Sequence, residues 1–306
     1  MVEDCESEPL TDMQVLAMTP VDLFKQATGG KDDALALQIF IESCTPAATN
    51  HLAAGVSQHI DELVSHPSGN FVVQKLIRGY PNFSELVASY CRANFARLAA
   101  NEFSSRVMQC LIETNPVFRK HSLNLFRKDL ETYTRTFAAA FLVSVAVRCA
   151  DSDEERDLLS GTLAISPKSW LARKYFKRVL VAYIAVCSQT ALERLFFLLA
   201  KTMAPYDFFR DRYSCLVLLA CVERGLPAAL NAVFEVLFAR TFDIFRWSVF
   251  KYFLEHLLEK PSLDKFRIKL HINLRNLDPT AMKAIFKNPK VYYNYNSALG
   301  LTLGHC

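Results

Sequence analysis

The chain has 306 residues, 51% of them hydrophobic, and a formal charge of only +4. That length suits one large domain or one elongated repeat array, and that hydrophobic content excludes disorder along the whole chain. The small net charge does not by itself mark a nucleic-acid binder, because such a partner is read through base edges as well as phosphates.

The amino-terminal stretch is acidic, with Glu3, Asp4, Glu6 and Glu8, and has no apolar centre of the kind a signal peptide carries. Residues 1–20 are expected to form an acidic extension and residues 21–306 one repeat domain, since no Pro-, Ser- or Gly-rich linker divides the chain. Leu52, Val56, Ile60, Leu63 and Val64 share one helical face, and Phe83, Leu86, Val87, Tyr90, Phe95 and Leu98 repeat the pattern. Leu192, Leu195, Phe196 and Leu199 mark a later helix, and Leu226, Leu230, Val233 and Leu237 another. Pro116 and Pro227 stand where first helical turns begin. The apolar runs near Phe137–Val147 and Val179–Cys187 are too short to span a bilayer and read as buried helices, so no membrane partner is expected. Alternating strand patterns are absent, and the fold class is all-α.

Nine cysteines, at 5, 44, 91, 110, 149, 187, 215, 221 and 306, form no C-x-x-C pair and no zinc-finger spacing with histidine. They read as reduced thiols of a cytosolic or nuclear protein. There is no P-loop, no H-E-x-x-H, no G-x-S-x-G and no dinucleotide fingerprint, so neither an enzyme nor a cofactor is expected. His66, at a turn, is better placed to bond backbone than to catalyse.

Two segments superpose: His66-Pro67-Ser68-Gly69-Asn70-Phe71-Val72-Val73-Gln74 and Asn101-Glu102-Phe103-Ser104-Ser105-Arg106-Val107-Met108-Gln109, 35 residues apart. Each follows an amphipathic helix, so the unit is helix–turn–helix. Weaker copies fall at Ala34/Leu35 with Gln38, at Ala140/Phe141 with Ser144, and at Lys174/Tyr175 with Arg178. Later ones fall at Cys215/Leu216 with Leu219, at Trp247/Ser248 with Lys251, and at Asn288–Asn296. A unit of this size cannot bury its apolar face alone, and neighbours must stack into a solenoid.

The stretch His66–Gln74 resembles the second-helix signature of the Pumilio (PUF) family of RNA-binding repeat proteins, and Ser105-Arg106-x-x-Gln109 resembles the adjoining repeat. The resemblance is sharp over residues 50–115 and persists as pattern to about 260. It implies a right-handed α-solenoid of about seven to eight repeats in a curved array, reading single-stranded RNA on its concave face. Residues i and i+4 share a helix face, so Asn70 and Gln74 project together as amide donors and acceptors, beside Phe71 as a stacking plane. An ordinary polar helix face gives the same spacing; the second motif tips the reading towards RNA.

By the family's code, Asn70, Phe71 and Gln74 imply uracil, and Ser105, Arg106 and Gln109 imply adenine. With RNA antiparallel to the repeats, the two together imply 5′-AU-3′. Elsewhere the pattern departs from the family. Gln38 keeps one amide, and Phe141 can stack a base without specifying it. Lys174, Tyr175 and Arg178 offer stacking and cations suited to phosphate. Cys215, Leu216 and Leu219 read as core packing, and Trp247/Ser248/Lys251 is ambiguous. Basic residues gather at Arg173–Arg178 and again between Lys265 and Lys290. The functions implied are post-transcriptional regulation of messenger RNA or, alternatively, nucleolar ribosome assembly. A protein-binding α-solenoid scaffold that has lost RNA specificity is a third reading, with protein partners on the convex face. The expected compartment is cytoplasmic, with a nuclear or nucleolar one as alternative.

Overall fold

The computed structural model describes residues 9–157, 159, 173–209, 211–239, 249, 252, 253 and 256. No strand occurs among the described residues, as the all-α reading requires. The chain divides into two compact units, Met1–Leu159 and Ser160–Cys306.

In the first unit the helices are α1 Asp12–Ala17, α2 Pro20–Thr28, α3 Lys31–Ser43, α4 Pro46–Ser57, α5 Ile60–Leu63, α6 Gly69–Gly79, α7 Pro81–Ala93, α8 Phe95–Ala100, α9 Ser104–Thr114, α10 Pro116–Lys128, α11 Phe137–Arg148 and α12 Asp153–Asp157. Their starts are set by local chemistry. Thr11 and Thr19 form capping boxes with Gln14 and Asp22, while Thr45, Asn115 and Thr136 each accept a backbone N–H from the first turn. Pro20, Pro46, Pro81 and Pro116 occupy the first helical turn, where a missing N–H costs nothing. Helix α1 falls within residues 1–20, and its Val15 is fully buried, with α1 packed on α4.

The single helix expected from Leu52 to Val64 is two, α4 and α5, and the one from Phe83 to Leu98 is likewise α7 and α8. The breaks lie at His59 (φ −118°, ψ 24°) and Asn94 (φ −116°, ψ 21°), outside the helical region. Asn94 closes its break by donating from Nδ2 to the Tyr90 carbonyl at 3.1 Å. The apolar spacing runs across each break because both pieces bury the same side: Leu52, Val56, Leu63 and Val64 are all fully buried.

Inner helices α3, α6, α9 and α11 pack each against the next. Their shared core is Leu37, then Val72, Val73 and Leu76, then Val107, Met108 and Leu111, then Leu142 and Val143, all with no exposed surface. On the outer side Phe95 meets Phe118, Phe126 and Tyr133 at centroid distances of 6.0, 5.7 and 5.7 Å, the last two edge-on. Arg119, with 5% of its side chain exposed, pairs with Asp151 and Glu155 and donates to the Ile112 carbonyl at 3.3 Å. One buried cation thereby ties the end of α9 to the loop and helix after α11.

The second unit contains α13 Phe176–Val186, α14 Gln189–Thr202, a 3-10 turn Pro205–Phe209, α15 Arg212–Glu223 and α16 Pro227–Ala239. Leu192, Leu195, Phe196 and Leu199 form the buried face of α14, as their spacing predicts. Helices α13 and α15 pack together, and Arg224 donates to the carbonyls of Ile184, Ala185 and Cys187 at 2.8, 2.9 and 2.8 Å. A guanidinium there satisfies the orphan carbonyls of α13 and complements its negative pole. Gly225, at φ +73°, takes the left-handed position just beyond α15, which a side chain would strain.

The cysteines among the described residues are free thiols, and burial pushes Cys91, Cys215 and Cys221 up to about 12. No described helix is long and apolar enough to cross a membrane.

Two stability outcomes follow. Phe95→Ala is expected to cost about 3–5 kcal/mol, read from the urea midpoint. His121 sits 6.0 Å from Phe95, and burial, with Arg92 and Lys128 adding repulsion, holds its imidazole below the ordinary value of 6.5. The unfolded chain takes up that proton first, so stability is full above about pH 6.5 and falls as the pH drops through the folded value. His121→Phe is expected to remove that component of the pH dependence in thermal melts between pH 5 and 7.5.

Candidate nucleic-acid interface

Burial on the inner helices leaves a repeating pattern. On α6 Asn70 is fully buried, Phe71 is 41% exposed and Gln74 is half-buried. On α9 Ser105 is buried, Arg106 exposed and Gln109 half-buried; on α11 Ala140 is buried, Phe141 half-buried and Ser144 fully buried. The structure brings Phe71, Gln74, Ser105, Arg106, Gln109 and Phe141 together as the lining of one open groove of about 470 Å³. Arg78, Glu102, Cys110, Glu113, Phe137 and Ala138 complete it.

The turn before α6 is stapled by side chains. His66 accepts at Nδ1 from the backbone N–H groups of Ser68 and Gly69 at 3.2 and 3.1 Å, the backbone role its position suggested. Gly69 is needed for close approach, since a Cβ there would stand 2.7 Å from Leu63 Cδ2. Asn70 donates from Nδ2 to the carbonyls of His66 and Pro67 at 2.7 and 2.8 Å. Gln74 donates from Nε2 to Asn70 Oδ1 at 2.9 Å.

In the next repeat Asn101 takes the place of His66. Its Oδ1 accepts from the backbone of Phe103 and Ser104 at 2.9 and 3.0 Å. Ser105 donates to the Glu102 carbonyl at 3.0 Å, and the side chain of Gln109 makes no hydrogen bond among the described residues. Arg106 is exposed and belongs to no ion pair among them, while Arg78 pairs with Glu113 at 3.8 Å across the groove.

The third repeat is built differently. Thr136 caps α11, so the helix begins two residues earlier relative to Ala140 than α6 does relative to Asn70, and Phe137 joins the lining of the groove, 53% exposed. Its ring lies nearly parallel to that of Phe141, at 6.2 Å and 9°, and the Arg148 guanidinium stands 5.9 Å from the Phe141 centroid. Ser144 donates to its own helix at the Ala140 carbonyl, at 2.9 Å, and offers nothing to a ligand. Phe137 is not among the groove residues the sequence predicts, although it stands with Thr136 just before the third copy; a Thr ahead of an apolar run is the signal that a helix starts there.

Gln38 lies outside this groove and donates to the Ala34 carbonyl at 3.1 Å. In the second unit α13 starts at Phe176, so Lys174 and Tyr175 lie in the turn before the helix and the register expected from Lys174 shifts by three residues. Lys177 then takes the place of Asn70, and Arg178, half-buried, that of Phe71. Lys177 is 8% exposed and pairs with Asp211 at 2.7 Å. Burial pushes the Asp211 carboxyl up, but hydrogen bonds from Lys177 and Ser214 outweigh it and hold it below the usual 3.8. Lys174 stands 5.5 Å from the Tyr175 ring centroid. Cys215 and Leu219 are buried, as core packing requires. Trp247, Ser248, Lys251, the Asn288–Asn296 segment and the basic residues between Lys265 and Lys290 lie outside the described residues.

The sequence matches the model of the Pumilio-family RNA binding repeat over residues 59–79 and 94–119. Among solved structures the chain is similar to PUF-8 in complex with PBE-RNA, with TM-score 0.72 and 15% identity over 94% of this chain and 86% of that one. It is similar to the Puf3 RNA binding domain bound to a Cox17 RNA 3′ UTR recognition sequence, with TM-score 0.74 and 14% identity over 94% and 89%. Yeast Puf5p bound to SMX2 RNA matches with TM-score 0.59 and 16% identity over 94% and 88%. No curated protein matches the sequence.

Cys110 lines the groove, yet burial pushes its thiol up to about 11 and it donates to the Gln74 carbonyl at 3.6 Å. At pH 7.5 it is expected to alkylate with iodoacetamide at least tenfold more slowly in the native protein than in urea, as read by peptide mass spectrometry.

Proposed function

We propose that this chain, which carries Pumilio-family repeats on a PUF-type all-α fold, binds single-stranded RNA in the groove lined by Phe71, Gln74, Arg106, Gln109 and Phe141. The observation that carries the reading is the alternation, in one groove, of flat side chains at Phe71, Arg106 and Phe141 with amides at Gln74 and Gln109. A base inserted between successive flat groups gains stacking on both faces while an amide meets its edge. By the family's code the α6 repeat takes uracil and the α9 repeat adenine, giving 5′-AU-3′. The α11 repeat holds a base by stacking alone, since Ala140 and Ser144 present no polar group to it. Arg178 and Lys174, further along the chain, bind phosphate.

The similar Puf3 structure holds a 3′ UTR sequence, and post-transcriptional regulation of messenger RNA, in the cytoplasm, is the role that fits best. Sequencing of RNA crosslinked to the protein in cells tests it: 3′ UTR fragments carry the reading, and ribosomal precursor RNA replaces it with the ribosome-assembly role. The Lys177–Asp211 pair favours a second role for the second unit as a protein-binding scaffold, because it commits to an internal ion pair a cation that would otherwise serve a phosphate.

Gln74→Ala is expected to lose a factor of ten or more in affinity for an AU-containing RNA, since an unmet hydrogen bond at a desolvated edge costs about 1–3 kcal/mol. Phe71→Ala is expected to lose a similar amount with base preference unchanged, because every base has a π-face. Fluorescence anisotropy against RNAs differing at one base separates the two. Lys174→Glu with Arg178→Glu is expected to weaken all RNAs alike. It is also expected to flatten the slope of log affinity against log salt by about 0.7 for each phosphate left without its cation. An unchanged slope assigns these cations to plain solvated surface.

A further inference from the structure

Away from the groove, an exposed serine stands in an acidic stretch of the chain. Asp151-Ser152-Asp153-Glu154-Glu155-Arg156-Asp157 holds five carboxylates in seven residues, and Asp153–Glu155 is the longest acidic run in the sequence. Ser152 is exposed just before α12, and its Oγ accepts from the Glu155 backbone N–H at 3.1 Å. A hydroxyl has two lone pairs and one proton, so this bond leaves the oxygen free to react. None of these residues lines the groove.

The guanidinium groups behind this segment are not fully met. Arg119, on α10, has 5% of its side chain exposed and pairs with Asp151 and with Glu155. Its Nε stands 3.7 Å from the Glu155 carboxylate, too far for a hydrogen bond. That Nε is buried and has no acceptor among the described residues. Arg156, whose Nη1 donates to Asp153 at 2.9 Å, also has a buried Nε without one. A buried donor left unmet is destabilising. The segment around Ser152 is therefore rich in negative charge and still short of acceptor oxygens at two guanidinium groups.

We propose that Ser152 is a phosphorylation site for an acidic-residue-directed protein kinase, and that Arg119 receives the phosphate. The carboxylates of Asp153, Glu154, Glu155 and Asp157 follow the serine closely, and a basic substrate cleft selects that charge pattern. In the transfer, Ser152 Oγ forms a bond to the terminal phosphorus of ATP. The bond from that phosphorus to the ADP oxygen breaks, and the hydroxyl proton passes to the base of the kinase. The product carries close to two negative charges and three acceptor oxygens. Such a group competes well with a single carboxylate for a guanidinium, which it grips through two N–H groups. The added charge also repels the neighbouring carboxylates, and exposure decides which gives way. Asp151, with 72% of its side chain exposed, turns to water at little cost. Glu155 is 18% exposed and accepts from the Asp151 backbone N–H at 3.1 Å, so it stays. The phosphate then takes the place of Asp151 on Arg119 and supplies the oxygen that Nε lacks.

The test uses the full folded chain with an acidic-residue-directed casein kinase and ATP, read by phosphopeptide mass spectrometry. Ser152 is expected to carry the phosphate, and Asp153→Asn with Glu154→Gln to slow its modification at least fivefold. A folded chain left unmodified at Ser152 overturns the site, even if a peptide spanning residues 146–160 is modified, because the fold then hides the serine. A rate unchanged in the double variant overturns the acidic recognition.

Reception by Arg119 is read separately, in thermal melts. Asp151→Ala removes one partner of a buried cation and is expected to lower the melting midpoint by several degrees. Phosphorylation is expected to restore at least half of that loss. It is expected to restore none of it when Ser152→Ala is added, which controls for phosphate placed elsewhere. Inorganic phosphate without kinase is expected to leave the Asp151→Ala midpoint where it was; recovery with it makes Arg119 a site for free anions and overturns the assignment to Ser152. A phosphorylated Asp151→Ala chain that melts no higher than the unmodified one overturns reception by Arg119.

Discussion

Helices α6 and α9 are each packed on both flanks by inner helices, and this leaves each one narrow stripe to show. On α6 the stripe is Phe71, Gln74 and Arg78; on α9 it is Arg106, Gln109 and Glu113; on α11 the matching positions are Phe141, Ser144 and Arg148, of which Ser144 is buried. The offsets are the same each time, three residues and then four, because that is how a 3.6-residue turn keeps to one line. The apolar residues between these positions are committed to the core: Val72, Val73, Leu76 and Ile77 on α6, and Val107, Met108, Leu111 and Ile112 on α9. The candidate site is what remains after burial has taken its share, and this is why a groove can be lined at regular intervals by residues that are far apart in the chain.

The spacing of the stripes depends on the register between repeats, and polar pairs about one repeat apart set it. Lys75 pairs with Glu42, Arg119 with Asp151, and Lys177 with Asp211. Exposed pairs of this kind contribute little to stability, at most about 1 kcal/mol. Their effect is geometric, since each is satisfied in one register and broken in the next. Arg119 and Lys177 differ in being largely buried, so leaving either unpaired would be costly. The same residue types that would draw a phosphate on an open surface are at these positions consumed by the stack.

Along the repeats the chemistry offered to the groove changes step by step. Helix α6 offers an amide braced by a second amide, α9 a lone amide beside a guanidinium, and α11 two aromatic rings with no polar group at the reading positions. In the second unit a lysine at the equivalent place is closed off by its own carboxylate. On the proposed reading this is a protein that selects a few bases and tolerates the rest, so a short A/U-containing element is the natural target.

The all-α class, the 35-residue step, the existence of the repeat and the residues Phe71, Gln74, Arg106, Gln109 and Phe141 that line one groove can all be read from the chain of amino acids. These were legible because helical periodicity and a polar signature are local properties, carried by neighbours within two turns. What it left undetermined was non-local. The breaks at His59 and Asn94 were hidden because an apolar stripe continues unbroken when both pieces bury the same side. The start of α13 at Phe176 was misplaced by three residues because Lys174, Tyr175 and Arg178 carry no apolar marker of which side faces the core. Asn70 looked like half of an exposed pair, and packing alone decided that it is buried, with its donors spent on the turn and its carbonyl on Gln74. Burial of that kind is set by the neighbouring repeat and by the turn closing beneath it, and only the tertiary structure brings those together.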